Sequence, residues 1–256
     1  MTVTLLNLLV FSPLAGTYVA WDCQKVGKVK DLLQIDAGQG QVVATDKSQI
    51  PYSLRGSKWS RLPGTLKHVT VGPAGTWGVN KEDAIYKYVA GNWVLAQGFL
   101  KQVDAGGDQF IVGTNRQDKP YCLSSSATLG YKGPGSPLPW TELPGNVKYY
   151  SCGPFGCWAV NKQDAIFFMR LRPDCQNNGW SGVAGQLSMI EVATDGSVFG
   201  VNSAGDLYSR DGVTSDKPWG TGWSHIPMKM PMKHVSYDLG RLWVISKSGI
   251  TFLCTL

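Results

Sequence analysis

One polar position recurs along this chain, occupied by Asp46, Asn80, Asn115, Asn161 and Asn202. In four cases a second acid follows three or four residues on: Asp83, Asp118, Asp164 and Asp206. Each position is then followed by an aromatic ring (Tyr52, Tyr86, Tyr121, Phe167, Tyr208) and by a tryptophan (Trp59, Trp93, Trp140, Trp180, Trp223). Sugar sites are built from such groups. A flat ring packs on the apolar C–H face of the sugar, and fixed amides or carboxylates read its hydroxyl and acetamido groups. The same Asn and Asp also suit turns, because they tolerate left-handed backbone and bond their own chain. The regular tryptophans equally suit packing between repeated units. Both roles are open at this level.

Other chemistries fit less well. Seven scattered Arg and three Glu (Glu82, Glu142, Glu191) make a poor sialidase, which needs an arginine cluster and a Tyr/Glu pair. The chain holds no G-x-S-x-G or H-E-x-x-H motif and no C-x-x-C. The three histidines do not cluster with cysteine, so zinc is not expected. His68 and His234 fall at equivalent repeat positions and read as scaffold. Asp36 and Asp104 read as turn residues or as carboxylates near a central axis. A calcium ion there is left open, although no D-x-D-x-D loop is present. The expectation is a binding protein, not an enzyme.

These residues owe their spacing to a repeat. Residues 66–88 (LKHVTVGPAGTWGVNKEDAIYKY) and 147–169 (VKYYSCGPFGCWAVNKQDAIFFM) match at 11 of 23 positions, and 232–252 is a weaker third copy. Between them lie units of a second type, starting at Leu32, Leu100 and Leu187. Two unit types alternate, giving six units. Each unit has a run ending at a glycine turn, a second run ending at Asp or Asn, a third with the aromatic and a fourth with the tryptophan. In the sixth unit Ser246 replaces the Asn and Phe252 is the aromatic. The spacing predicts four short strands per unit with no helix between them.

About 39 residues per unit is the size of a propeller blade. The sixth unit stops at Leu256 before its fourth strand, while Trp21 stands at the other end of the chain. The expected fold is therefore all-β: a six-bladed β-propeller over residues 21–256, closed by its N-terminal strand. On that layout Cys23–Cys254 locks the ring, Cys152–Cys157 bridges one hairpin, and Cys122–Cys175 pairs by elimination.

Composition agrees. Thirty-one Gly and fourteen Pro suit many turns, and only 16% of residues are charged. Residues 1–20 carry no charge, hold an apolar run from Leu5 to Val10, and read as a secretory signal peptide ending at Ala20. Six cysteines in a secreted chain fit disulfides. The net charge of +6 is spread thinly with no basic cluster, so no nucleic-acid site is expected. No later stretch is long enough to insert in a membrane. A homodimer is left open.

The Val-Asn, aromatic and Trp pattern, with the segments LKQVDAGGD and SMIEVATDGSVFGVN, resembles the tectonin propeller lectins, the fish-egg lectins among them. The resemblance covers residues 21–256. It implies a secreted lectin for N-acetylglucosamine-type glycans and bacterial lipopolysaccharide, acting in egg protection or innate defence, with or without calcium. The alternative is a secreted propeller scaffold for protein–protein interaction. Ser246 puts a sixth equivalent site in doubt.

Overall fold

Short β-branched and aromatic runs separated by Gly and Asx turns pair with their sequence neighbours in six successive sheets, the last of them completed by a strand from the other end of the chain. The computed structural model describes residues 20–27 and 29–256, so the expected signal peptide lies almost wholly outside the described residues. Strand β1 (Asp22–Lys25) precedes the first blade, which holds β2 (Leu32–Gly38), β3 (Gln41–Asp46), β4 (Pro51–Arg55) and β5 (Lys58–Arg61). Blade two holds β6 (His68–Gly72), β7 (Gly75–Val79), β8 (Ala84–Val89) and β9 (Asn92–Phe99). Blade three holds β10 (Gln102–Asp104), β11 (Ile111–Thr114), β12 (Pro120–Leu123) and β13 (Thr141–Glu142). Blade four holds β14 (Tyr149–Gly153), β15 (Gly156–Val160), β16 (Ala165–Met169) and β17 (Ser181–Gln186). Blade five holds β18 (Met189–Val192), β19 (Val198–Val201), β20 (Leu207–Arg210) and β21 (Trp223–Ile226). Blade six holds β22 (Met232–Asp238), β23 (Arg241–Ser246) and β24 (Thr251–Thr255), and β1 completes it as the fourth strand.

All pairings are antiparallel, and β1 lies against β24 with Cys23 opposite Cys254. That pair is disulfide-bonded, as are Cys122–Cys175 and Cys152–Cys157. Closure by the N-terminal strand is therefore as expected, but its register differs from expectation in one respect. The fourth-strand tryptophan pairs with the residue two beyond the blade aromatic, as Trp59 with Leu54, Trp93 with Tyr88 and Trp223 with Arg210. In blade six the residue two beyond Phe252 is Cys254, so Cys23 holds the tryptophan's place. Trp21 lies two residues outward and packs edge-on against Phe199 and Tyr237.

The core sits between blades. Trp77, Val79 and Ile85 of blade two meet Val103, Ile111 and Leu123 of blade three. Trp243 and Ile245 of blade six meet Leu32, Ile35 and Ala44 of blade one. Burying each such side chain contributes about 1.5–3 kcal/mol, so adjacent blades hold one another. A helix of five residues, α1 (Ser125–Leu129), interrupts blade three, where none was expected. Ser124 caps it by accepting from the Ala127 N–H, and Thr128 Oγ1 donates to the Ser125 carbonyl (2.9 Å). The Ser/Thr-rich local sequence satisfies one helical turn without an amphipathic stripe.

Six inner strands line the axis. Odd blades bring Asp36, Asp104 and Glu191 to it, and even blades bring Thr70, Ser151 and Ser236, all buried. Asp36 accepts from the Val71 N–H (2.7 Å) and Ser236 Oγ (3.2 Å). Asp104 accepts from the Cys152 N–H (3.0 Å) and Ser151 Oγ (3.2 Å). Each acid thus clips its blade to a neighbour. His68 and His234 flank Tyr149, whose hydroxyl lies 3.3 Å from each Nε2 and donates to Glu191. Burial pushes the Asp104 carboxyl up to about 7, with Asp36 adding to the shift. Burial likewise holds His68 and His234 at about 3, so both rings are neutral. Among the described residues no group of three or more His, Cys, Asp or Glu is placed to hold a metal ion.

Candidate functional site

The turn between strands two and three of a blade lies at the same end of the sheet as the connector leading into the next blade's first strand. One face of the disc therefore carries all the recurring Asn and Asp positions and all the inter-blade connectors. The hairpin glycines such as Gly40 and Gly75 lie on the other face.

Each recurring Asn folds its oxygen into its own turn. Asn80 Oδ1 accepts from the Glu82 and Ala84 N–H groups (3.1 and 2.9 Å), and Asn115 Oδ1 from Gln117 and Lys119 (2.9 Å each). Asn161 and Asn202 repeat this with Gln163 and Ala165, and with Gly205 and Asp206. Two backbone donors fix which atom is oxygen, and the amide NH₂ is left pointing away from the turn. Asp46 makes the same turn with Ser48 and Ile50, but its second oxygen accepts from Tyr52 Oη (3.0 Å). Asn202 donates one amide hydrogen to Asp206 (2.9 Å).

The second acids do other work. Asp83, Asp118 and Asp164 occupy left-handed backbone at φ 70, 62 and 63°, closing the turn opened by the Asn. Each carboxylate accepts from a lysine of its own blade (Lys67, Lys101, Lys148). Each also reaches the next blade, at Arg116, Lys162 and Ser203 respectively. Burial opposes ionisation of Asp118, yet its hydrogen bonds from Lys101 and Lys162 hold it below the usual carboxylate range. Asp206 is not their equivalent: Gly205 takes the left-handed position in blade five (φ 103°), and Asp206 is exposed at the rim.

The tryptophans complete a pocket at the blade junctions. Trp93, Trp140, Trp180 and Trp223 are half-buried, and each indole N–H donates to a carbonyl of the preceding blade, in its outer strand (Gln97, Ala184) or the connector after it (Pro63, Pro144), at 2.8–3.0 Å. A glycine follows each of those carbonyls. At Gly98 (φ 115°) a Cβ would stand 2.7 Å from the Trp140 indole nitrogen, so only glycine admits the ring. Gly64, Gly145 and Gly185 stand at the same place, and Gly27 meets Trp59. A small residue faces the blade aromatic across the sheet in five blades: Ala44, Gly78, Gly113, Ala159 and Gly200. Two of the resulting pockets are open clefts. One of about 380 Å³ is lined by Gly64, Asn80, Tyr86 and Trp93, and one of about 440 Å³ by Gly185, Asn202, Tyr208 and Trp223. Both fall in the range of small-molecule sites.

The junction of blades five and six departs at every point. Ser246 replaces the Asn, Val244 faces Phe252, Cys23 replaces the tryptophan, and Met228 and Met230 pack at the connector. The sequence exposed the Asn, aromatic and Trp positions. The glycines that admit the indoles do not stand out in the sequence, because Gly is common throughout this chain.

Comparison with known proteins gives the lineage. The Tectonin domain family model matches residues 31–247. A fish-egg lectin of Cyprinus carpio is 49% identical over 233 residues, covering 88% of this chain and 96% of the relative. A tectonin β-propeller repeat-containing protein of Drosophila melanogaster is 30% identical over 113 residues, 40% of this chain but 8% of that much longer protein. Among solved structures, virginiamycin B lyase from Staphylococcus aureus superposes with TM-score 0.59 at 12% identity, covering 92% of this chain and 99% of that one. YCF48 bound to D1 peptide gives 0.56 at 12% identity, with 96% and 100% covered. Likeness at such identity speaks for the propeller fold alone. The family model and the carp relative carry more: the chain belongs to the tectonin family.

Proposed function

We propose that the protein is a secreted lectin that binds N-acetylglucosamine-type sugars at its blade junctions. The observation that carries this reading is the repeated set of a half-exposed indole, a second aromatic ring and an outward amide whose oxygen is locked by two backbone donors. The ring packs on the sugar's C–H face, and the Asn NH₂ donates to a hydroxyl or acetamido oxygen. The junctions of Asn80, Asn115, Asn161 and Asn202 share this polarity. The Asp46 junction keeps the aromatic frame, but Asp46 is buried with both oxygens bonded inside its own blade, so this junction lacks the amide donor. Asp83, Asp118 and Asp164 act by holding the turns, and Asp206 extends the rim at Asn202.

Single pockets of this kind bind weakly, and several on one face multiply the effect on a repetitive surface such as bacterial lipopolysaccharide. Defence of the egg or of another exposed surface is the role we assign. No catalytic constellation accompanies the pockets, and we read the protein as a binder without enzymatic activity. Three disulfides fit an extracellular setting.

The test is the substitution of Asn80, Asn115, Asn161 and Asn202 by Asp. Blade one already folds this turn with Asp46, so the fold should survive while the amide donor is lost. Calorimetric titration with N-acetylglucosamine should show binding to the native protein and its loss in the variant, with an unchanged melting temperature. Unaltered sugar binding in a folded variant would remove the amide from the site. No sugar binding by the native protein would favour the protein-scaffold alternative.

A further inference from the structure

Blade five differs from the others at one repeat position. Two residues beyond the pocket aromatic stand Leu54, Tyr88, Leu123, Met169 and Cys254, but in blade five the residue is Arg210. Residues i and i+2 of a strand share a face, so Arg210 stands on the same side as Tyr208, about 7 Å further along. Its guanidinium carbon lies 5.0 Å from the Trp223 ring centroid and 5.5 Å from that of Trp158. Its Nε donates to the Trp219 carbonyl (2.9 Å). The adjacent Asp211 is turned to Ser224 Oγ (3.0 Å).

A cleft of about 430 Å³ opens beside it, between blades four and five. Arg170, Arg210, Asn178, Ser181 and Trp219 line it. Neither arginine forms an ion pair among the described residues. Trp219, at the tip of the segment between β20 and β21, is 45% exposed. The cleft continues the Asn202 pocket: β17 lends Gly185 and Gln186 to that pocket and residues 181–184 to this one. Cation–π contact with two indoles and the bond to the Trp219 carbonyl hold Arg210 in place before any ligand arrives, which lowers the ordering cost of binding. Guanidinium forks match carboxylate and phosphate oxygens, and the exposed indole offers a face for a sugar ring.

We propose that the junction of blades four and five binds an acidic disaccharide. An N-acetylhexosamine occupies the Trp223–Tyr208–Asn202 pocket, and an anionic sugar occupies the Arg170–Arg210–Trp219 cleft. This rests on the amino-sugar reading of the neighbouring pocket. The other blades lack the arginine, so the preference for acidic glycans belongs to this junction.

Three probes test it by titration calorimetry at physiological salt, where long-range attraction from the net +6 charge is screened. They are chitobiose, N-acetylglucosamine linked to glucuronic acid, and a phosphorylated glucosamine disaccharide. One site should prefer at least one acidic probe over chitobiose by about tenfold, the worth of a charge-assisted hydrogen bond. Preference for the carboxylate or the phosphate probe names the source, and either supports the inference. Arg170→Gln and Trp219→Ala alter exposed residues away from the amino-sugar pocket. Each should keep chitobiose binding and lose most of the acidic preference. Arg210→Lys keeps the charge without the fork and should lose it too, provided its melting temperature is native. Equal affinity for acidic and neutral probes, with chitobiose binding intact, overturns this inference alone. Acidic preference that survives both Arg170→Gln and Trp219→Ala overturns the assigned cleft. Absence of chitobiose binding overturns the amino-sugar reading and this inference with it.

Discussion

A recurring Asn in this protein serves two masters with its two amide atoms. The oxygen closes a turn with two backbone N–H groups, while the NH₂ is the group we propose as the sugar donor. Removing both functions should therefore look different from removing one. Asn80→Ala strips two turn bonds and is expected to cost about 1–2 kcal/mol in urea denaturation, whereas Asn80→Asp should cost far less. Equal losses in the two variants would deny the turn its role. At the axis, Asp104 is a buried acid whose folded value is raised to about 7. A raised carboxyl contributes its full stability below its unfolded value near 4, and loses it as pH rises through 7. Asp104→Asn keeps an oxygen for the Cys152 N–H and does not titrate. Its melting temperature relative to the native protein should therefore rise steadily between about pH 4 and 7. A constant difference over that range would mean that Asp104 titrates normally. The Asn positions were plain in the sequence because the repeat lines them up. The ligand role proposed for them was not, since turn formation and ligand contact favour the same residue type. The arginine cleft was also hidden: Arg210 breaks the repeat at a single position, and Arg170 comes near it only through the pairing of blades four and five.

The blade is a four-stranded sheet whose faces pack on its neighbours, and the turns add polar links between blades. Asp118 shows how: one carboxylate joins Lys101 of its own blade to Lys162 of the next. Asp118→Ala should lower stability by about 2 kcal/mol, read by urea unfolding at pH 7. The pH dependence has a definite sign. A carboxyl held low contributes above its unfolded value and loses that contribution as pH falls through its folded value. The native protein should therefore lose its advantage over Asp118→Asn below about pH 4. An advantage that persists at pH 2 would contradict the ion-pair account. Strand order within the blades was legible because each strand except β1 pairs with a sequence neighbour across a short turn or loop. The segments that depart from the repeat were not. Helix α1 rests on a local Ser cap, and the segment carrying Trp219 is held by contacts to Arg210 that no local pattern announces.

At the scale of the whole ring, closure is the feature that sequence reading located and structure adjusted. The N-terminal strand completes blade six, but Cys23 and not Trp21 takes the place of the tryptophan. The disulfide at that place joins residues 231 apart in sequence. Replacing Cys23 and Cys254 together by Ser should therefore cost up to about 5 kcal/mol, the chain-entropy limit for so long a loop. A melting temperature unchanged by that replacement would show that strand pairing alone holds the ring. The same exchange of Trp for Cys makes one junction unlike the rest, which sets how the molecule should fill with ligand. A crystal soaked in N-acetylglucosamine reads this directly. Sugar is expected against Trp93, Trp140, Trp180 and Trp223, with each Asn NH₂ in hydrogen-bond reach, and none at the junction of Ser246 and Cys23. Sugar bound on the opposite face, along the axis, or equally at all six junctions would contradict the account.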